Sequence, residues 1–239
     1  MKHTSSKPSH LQSGCVLAGK YTVQQFLGSG YEGEVYRVVE DRTGSLRAAK
    51  LFFSERNVND AAVRFYARKL ERLRRCSILT QYHHSETIRY RGERITLLIS
   101  ELVEGVLLSR LVDSRPGKRI PEFEAMVLLH SLASGLGEIH DQGEYHGDLH
   151  SGNVLIRPVG ITFECKLIDF QNLGRPTKQM IATDVIDLVR LFYDALGGSK
   201  RYASFSGTAK HICAGLRRGL ITERFPTASH LAEHLETFE

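Results

Sequence analysis

Residues Tyr145–Ile156 read YHGDLHSGNVLI and residues Leu167–Phe170 read LIDF, so two acids and an amide arrive on neighbouring segments of the chain. Within the first segment Asp148 lies five residues before Asn153. A carboxylate there can receive a hydroxyl proton and the amide can ligate Mg²⁺, while Asp169, closing an apolar strand, supplies a second metal ligand. These are the parts of a phosphoryl-transfer site. The bland alternative, a turn capped by an Asp, does not account for the LIDF that follows.

Upstream, residues 21–55 alternate apolar and polar positions, with turn chemistry at Asp41–Ser45, and predict three antiparallel strands. Between the first two lies Gly28-Ser-Gly-Tyr-Glu-Gly33-Glu-Val35, whose glycines let backbone N–H groups approach a phosphate. Alone, such a string reads equally as a hairpin turn. It gains weight from Ala48-Ala49-Lys50, seventeen residues after Gly33, on the third strand.

A basic helix is expected over about 61–75, where RFYARKLERLRR places Phe65 or Tyr66, Leu70 and Leu73 on one face. ERITLLISELVEG reads as a strand running into a connector at Glu104–Gly105. Pro121 opens a helix that runs through Ile139 and stops at Gly143. Short strands follow at Val154–Ile156 and Lys166–Ile168, then helical patterns around 184–196, 208–219 and 227–237.

The glycine string with its strand lysine, the HGDLHSGN loop and LIDF together resemble the protein kinase-like superfamily, from about Tyr21 to near the C-terminus. The resemblance implies an α+β, two-lobed fold with an antiparallel-sheet N-lobe and a mainly helical, reduced C-lobe. Residues 1–20 are then a flexible lead, 21–104 the N-lobe, and 105–239 a C-lobe with a truncated activation segment. ATP and Mg²⁺ are the implied cofactors. Gly28, Ser29, Gly30 and Gly33 match the phosphate loop, Val35 packs on adenine, and Lys50 meets the α- and β-phosphates. LLISELVEG matches the hinge: Ser100 is the gatekeeper, Glu101 and Val103 offer their backbones to adenine, and Glu104 is placed for the ribose.

Asp148, Lys50, Asn153 and His150 are the catalytic candidates by the same resemblance, and Asn153 and Asp169 the metal ligands. His146 matches the structural histidine of the loop, and Asp184 the buried acid that holds the loop backbone. The lysine's usual helix glutamate is matched best by Glu71, twenty-one residues on. Register leaves alternatives: Tyr66, Ala67 or Arg68 can occupy that place, with Glu55 or another acid substituting or no pair forming.

Departures from the family pattern bear on the acceptor. Protein kinases usually carry arginine at Gly147 and lysine at His150, whereas HGDLHxGN is similar to the loop of aminoglycoside and choline kinases. Gln171 replaces the glycine that usually follows Asp-Phe. Without the arginine at Gly147 an activation-loop phosphate has no partner, so switching by such phosphorylation is expected to be absent. Thr183 follows Asp169 by only fourteen residues with no APE-like motif between. TDVIDLVRLFYDALGG (183–198) and LRRGLITERFPTASHLAEHLE (216–236) nonetheless resemble the closing helices of serine/threonine kinases, with Arg224 where the missing motif's partner would sit.

The sequence therefore implies transfer of the γ-phosphoryl of Mg·ATP to a hydroxyl, with Ser or Thr of a protein favoured as acceptor. A small-molecule alcohol kinase and a nucleotide-binding pseudokinase scaffold are the alternatives. The chain has 239 residues, enough for two small lobes, with 41% hydrophobic and 25% charged content. No apolar run approaches the roughly 20 residues that span a bilayer, and MKHTSSKPSHLQSG lacks the core of a signal peptide, so a cytoplasmic protein without a membrane partner is expected. Cys15, Cys76, Cys165 and Cys213 form no CxxC pair and read as reduced thiols. The charge of +5 is modest, and no base-stacking aromatics accompany the basic helix, so no nucleic-acid partner is expected.

Overall fold

The computed structural model describes residues 11–90 and 92–237. Two compact units divide the chain, one formed by the segment up to Arg75 with Thr80–Val103, the other by Cys76–Leu79 with Glu104 onward.

The first unit is a six-stranded antiparallel sheet with one helix. Its strands are β1 (Val16–Leu17), β2 (Tyr21–Ser29), β3 (Gly33–Glu40), β4 (Leu46–Phe52), β5 (Tyr82–Tyr90) and β6 (Glu93–Glu101), ordered β1-β2-β3-β4-β6-β5. Alternation along the strands sends Val23, Tyr36, Val38, Ala49, Leu97 and Ile99 to one buried face. The helix α1 (Ala61–Arg72) packs against β5 and β6. It buries Val63, Tyr66, Lys69 and Leu70, so Tyr66 rather than Phe65 occupies the inward position. Asn57 Oδ1 accepts the Val63 N–H at 3.1 Å and satisfies a donor of the first turn.

Two elements of this unit depart from the sequence expectation. Residues 1–10 of the expected lead lie outside the described residues, but 11–20 carry β1, and Leu11 is buried in the sheet core. The edge strand β5, YHHSETIRY, alternates half-buried and exposed positions, but its inward side mixes Tyr82, His84, Glu86, Ile88 and Tyr90, so the apolar signal in the sequence is weak. Its register is fixed instead by pairing with β6, from Tyr82 opposite Ser100 to Tyr90 opposite Glu93.

The second unit is mainly helical. It contains β7 (Val106–Leu107), α2 (Leu108–Ser114), α3 (Glu122–Asp141), β8 (Val154–Val159), β9 (Thr162–Leu167), α4 (Lys178–Ala195), α5 (Gly207–Cys213), α6 (Arg218–Arg224) and α7 (Ala228–Glu236). β7, β8 and β9 form a small antiparallel sheet. The central α3 and α4 bury Leu128, Leu132 and Leu136 from one and Val185, Leu188 and Phe192 from the other. α4 begins at Lys178, earlier than the expected 184, because Thr177 Oγ1 accepts the Met180 N–H and caps it. The single helix expected over 208–219 is broken: Ala214, Gly215 and Leu216 all have positive φ, which ends α5 before α6 starts. No helix among the described residues is long and apolar enough to cross a membrane.

Candidate active site

In the first unit the β2–β3 turn brings the glycine string onto β4. Gly33 pairs with Phe52, and a Cβ at Gly33 would lie 2.0 Å from the Leu51 carbonyl oxygen, so the close approach of β3 to β4 admits only glycine. The turn closes through the Gly30 N–H, which donates to Gly33 O at 2.9 Å, and Ser29 Oγ reaches the same oxygen at 3.4 Å. At its tip the exposed Tyr31 is covered by Arg56, whose guanidinium stands 3.9 Å from the ring centroid. Val35 is the β3 residue opposite both Gly28 and Lys50.

The surroundings of Lys50 differ from the leading expectation. Glu71 points to the exposed side of α1 and pairs with Arg74 at 2.9 Å. The α1 residue at Lys50 is Tyr66, with the ammonium 4.0 Å from its ring centroid. A carboxylate reaches Lys50 from the glycine turn instead: Glu32 Oε2 lies 3.3 Å from Nζ. The helix register decides this, since the buried stripe through Val63, Tyr66 and Leu70 leaves Glu71 on the outer face. In the hinge segment Ser100 and Glu101 end β6, and the Glu101 N–H donates to Gln81 O at 2.9 Å. Val103 follows outside regular structure.

The second unit carries the loop between α3 and β8. Its anchor is Asp184 of α4, fully buried, which accepts the backbone N–H of His146 at 2.6 Å on Oδ2 and that of Gly147 at 2.8 Å on Oδ1. His140 Nε2 lies 3.3 Å from the same carboxylate, and its Nδ1 accepts the Ala228 N–H at 3.3 Å. Gly147 has φ +86°, and a Cβ there would meet the Tyr145 ring at 2.9 Å. Both ring nitrogens of His146 are engaged, Nδ1 with the Asp148 N–H and Nε2 with Ile168 O, and the ring packs against Phe170. His146 thus braces the loop from beneath.

Asp148 and Asn153 meet directly. Asn153 Nδ2 donates to Asp148 O at 2.9 Å and to its Oδ2 at 3.1 Å, while the Asp148 side chain keeps half of its surface exposed. The amide orientation that makes both contacts leaves Oδ1 out of them. Asn153 also accepts the Ile168 N–H on its backbone oxygen at 3.0 Å, which ties the loop to the strand end before Asp169. Asp169 stands at φ +59°, in the left-handed region that costs a non-glycine residue strain. His150 Nε2 lies 3.7 Å from Asp148 Oδ2, and its Nδ1 accepts the Gly152 N–H at 3.1 Å. Beside His150 and Ser151 lies a hollow of about 240 Å³ walled by α2 and α4, with Asp187 and Asp194 in its side. Burial pushes the Asp187 carboxyl up from its ordinary value, and the nearby charge of Asp184 adds to this. Glu104 is exposed, with Arg157 Nη1 4.0 Å away.

The donor set at Asn153 and Asp169 is all oxygen. Among the described residues no three His, Cys, Asp or Glu side chains cluster to hold a metal by themselves. An amide oxygen and one carboxylate instead suit a hard divalent cation that takes its remaining ligands from phosphate and water. Sequence reasoning did not single out Glu32, although it lies inside the glycine string, nor Tyr145, whose hydroxyl accepts the Leu173 N–H at 2.8 Å and donates to Gly174 O.

The family profile described as Protein kinase domain matches residues 21–187. The serine/threonine-protein kinase PknA of Mycobacterium tuberculosis is 29% identical over 160 residues, covering 66% of this chain and 36% of the relative. The serine/threonine-protein kinase pkn2 of Myxococcus xanthus is 32% identical over 160 residues, covering 65% of this chain and 18% of the relative. The chain therefore spans about a third or less of these relatives' length. Among solved structures, a double mutant of the Mycobacterium tuberculosis PknI kinase domain superposes with a TM-score of 0.70 at 21% identity, covering 95% of this chain and 98% of the other.

Proposed function

Since this chain belongs to the protein kinase domain family, we propose that it transfers the γ-phosphoryl of ATP, with Mg²⁺, to the hydroxyl of Ser or Thr in a protein. The observation that carries the proposal is the contact between Asn153 and the Asp148 carboxylate, in a loop whose backbone is clamped by Asp184.

The β2–β3 turn and Lys50 are assigned to the nucleotide phosphates and Val35 to one face of the adenine. The Glu101 N–H is taken up by Gln81 O, so adenine would use the Glu101 carbonyl and the Val103 N–H. Asn153 and Asp169 would hold the divalent cation, which when bound neutralises charge on the transferred phosphoryl. Asp148 orients the acceptor hydroxyl and takes its proton; its half-exposed carboxylate is open to an incoming group, and Asn153 fixes its rotamer. His150 is assigned a supporting role: through Gly152 it shapes the loop, and its Nε2 faces the outer side of the Asp148 carboxylate.

A protein acceptor is supported by the names of the relatives, PknA and pkn2. The test is incubation with γ-labelled ATP and Mg²⁺, alone, with a general protein substrate and with a panel of small alcohols, in parallel with Asp148→Ala. Label on Ser or Thr that disappears in the variant supports the proposal. Label confined to a small alcohol overturns the acceptor class, and bound ATP with no transfer to any acceptor overturns catalysis.

A further inference from the structure

Lys50 sits among aromatic faces. Its Nζ is 4.0 Å from the Tyr66 ring centroid and 5.3 Å from that of Phe52, and the two rings lie 5.7 Å apart at 60°. Tyr66 is buried, and Phe65 meets it edge-on at 5.7 Å, so its ring is fixed by packing on more than one side. Glu32 reaches the same ammonium from the tip of the β2–β3 turn. The one acid of α1, Glu71, is turned outward to Arg74.

The two kinds of partner act differently on an arriving phosphate. A ring face attracts an ammonium through its quadrupole, by about 0.5–2 kcal/mol, without adding net negative charge. The ammonium's three donors can still point away from the ring to other acceptors. A carboxylate takes up those donors and repels a second anion placed beside it. Glu32 also stands on the turn assigned to the phosphates, so it and the nucleotide compete for the same place.

We propose that Tyr66, flanked by Phe52, is the standing support of Lys50, and that Glu32 is an exchangeable anion which holds the ammonium until nucleotide phosphates displace it. Tyr66 is thereby a positioning residue, acting through Lys50, and Glu32 is a built-in competitor that lowers affinity for phosphate-bearing ligands. The inference rests on the nucleotide-binding reading above.

Calorimetric titration of the whole chain with ADP and with adenosine, in EDTA at low salt, separates the two. The ratio of their affinities isolates what Lys50 and the turn contribute to phosphate. Glu32→Gln is expected to raise that ratio several-fold by tightening ADP, with adenosine little changed and with the gain shrinking at high salt. Tyr66→Leu is expected to lower the ratio and Tyr66→Phe, which keeps the ring, to restore it. A ratio that falls or stays at the parent value in Glu32→Gln overturns the competitor role. A ratio unchanged in a folded Tyr66→Leu overturns the support role. Should the leucine variant fail to fold, Glu32→Gln on the turn still decides the competitor role. A parent that binds both ligands equally sinks this inference alone, whereas a parent that binds neither sinks the nucleotide reading with it.

Discussion

Asp184 of α4 accepts the backbone N–H of His146 at 2.6 Å from a position with no exposed surface. The same carboxylate takes the Gly147 N–H, so a single buried anion satisfies two consecutive donors in a loop that has no regular structure. Asp184→Asn keeps the size but offers only one acceptor oxygen. The expected outcome is a loss of about 1–3 kcal/mol in urea unfolding, the scale of one unsatisfied buried donor, and a fall in kcat. Unchanged unfolding would show that the loop does not depend on this clamp.

Asp148 belongs to the acceptor side of the proposed reaction. Asp148→Ala is expected to reduce phosphoryl transfer by about 10²–10⁴, the range of a lost general base, while ATP affinity stays within a few-fold. Asp169→Ala, at a proposed metal ligand, is expected to weaken Mg-dependent nucleotide binding itself. Titrations of both variants with ATP, with and without Mg²⁺, check the contrast.

The start of α1 is tied down by Asp60, whose Oδ1 accepts from Thr96 Oγ1 at 2.7 Å and whose Oδ2 pairs with Arg94. The Thr96 hydrogen bond, and then the Arg94 charge, hold this carboxyl below its ordinary value. A depressed folded-state value means that the stabilisation is present above the unfolded carboxyl's range and is lost as pH falls through the folded one. Thr96→Val is therefore expected to be less stable than the parent at neutral pH, with the gap narrowing below about pH 4. Denaturant titrations across that range test the sign.

Burial pushes the thiols of Cys165 and Cys213 up to about 12 and raises that of Cys76 as well. Thiolate, not thiol, is the nucleophile. Iodoacetamide at pH 8 should leave these three unmodified in the native protein and alkylate them in denaturant, as mass spectrometry of the digested chain would report. Rapid native labelling of Cys213 would contradict its full burial at the end of α5.

The β3–β4 approach predicts that Gly33→Ala costs about 1–3 kcal/mol, because the added carbon meets backbone rather than a movable side chain. Thermal unfolding of this variant beside Gly28→Ala, where nothing lies within 4 Å of the new carbon, isolates the effect.

The candidate loop at 145–153 was legible because its contacts are local. Asp148 and Asn153 are five residues apart, and a short loop between helix and strand brings them into contact whatever the rest of the chain does. The partner of Lys50 was not, since it depends on the rotation of α1. Tyr66 and Glu71 lie on opposite sides of a helix whose apolar stripe also tolerates a buried Lys69, so composition did not fix the angle. β5 escaped notice because its half-buried side carries His84 and Glu86 among Tyr82, Ile88 and Tyr90, which blurs the apolar alternation. The break after α5 rests on left-handed Ala214 and Leu216, residues that carry no turn signal of their own.

Residues 170–177, the whole connection from Asp169 to α4, are stitched along their length: the Gln171 N–H to His146 O, the Leu173 N–H to Tyr145 Oη, that hydroxyl on to Gly174 O, and Thr177 into the helix cap. A segment this short, held at these points, is expected to keep one arrangement through turnover, whereas a switch needs two. For the proposed reaction this means progress curves that are linear from the first turnovers, with no lag that preincubation with ATP would abolish.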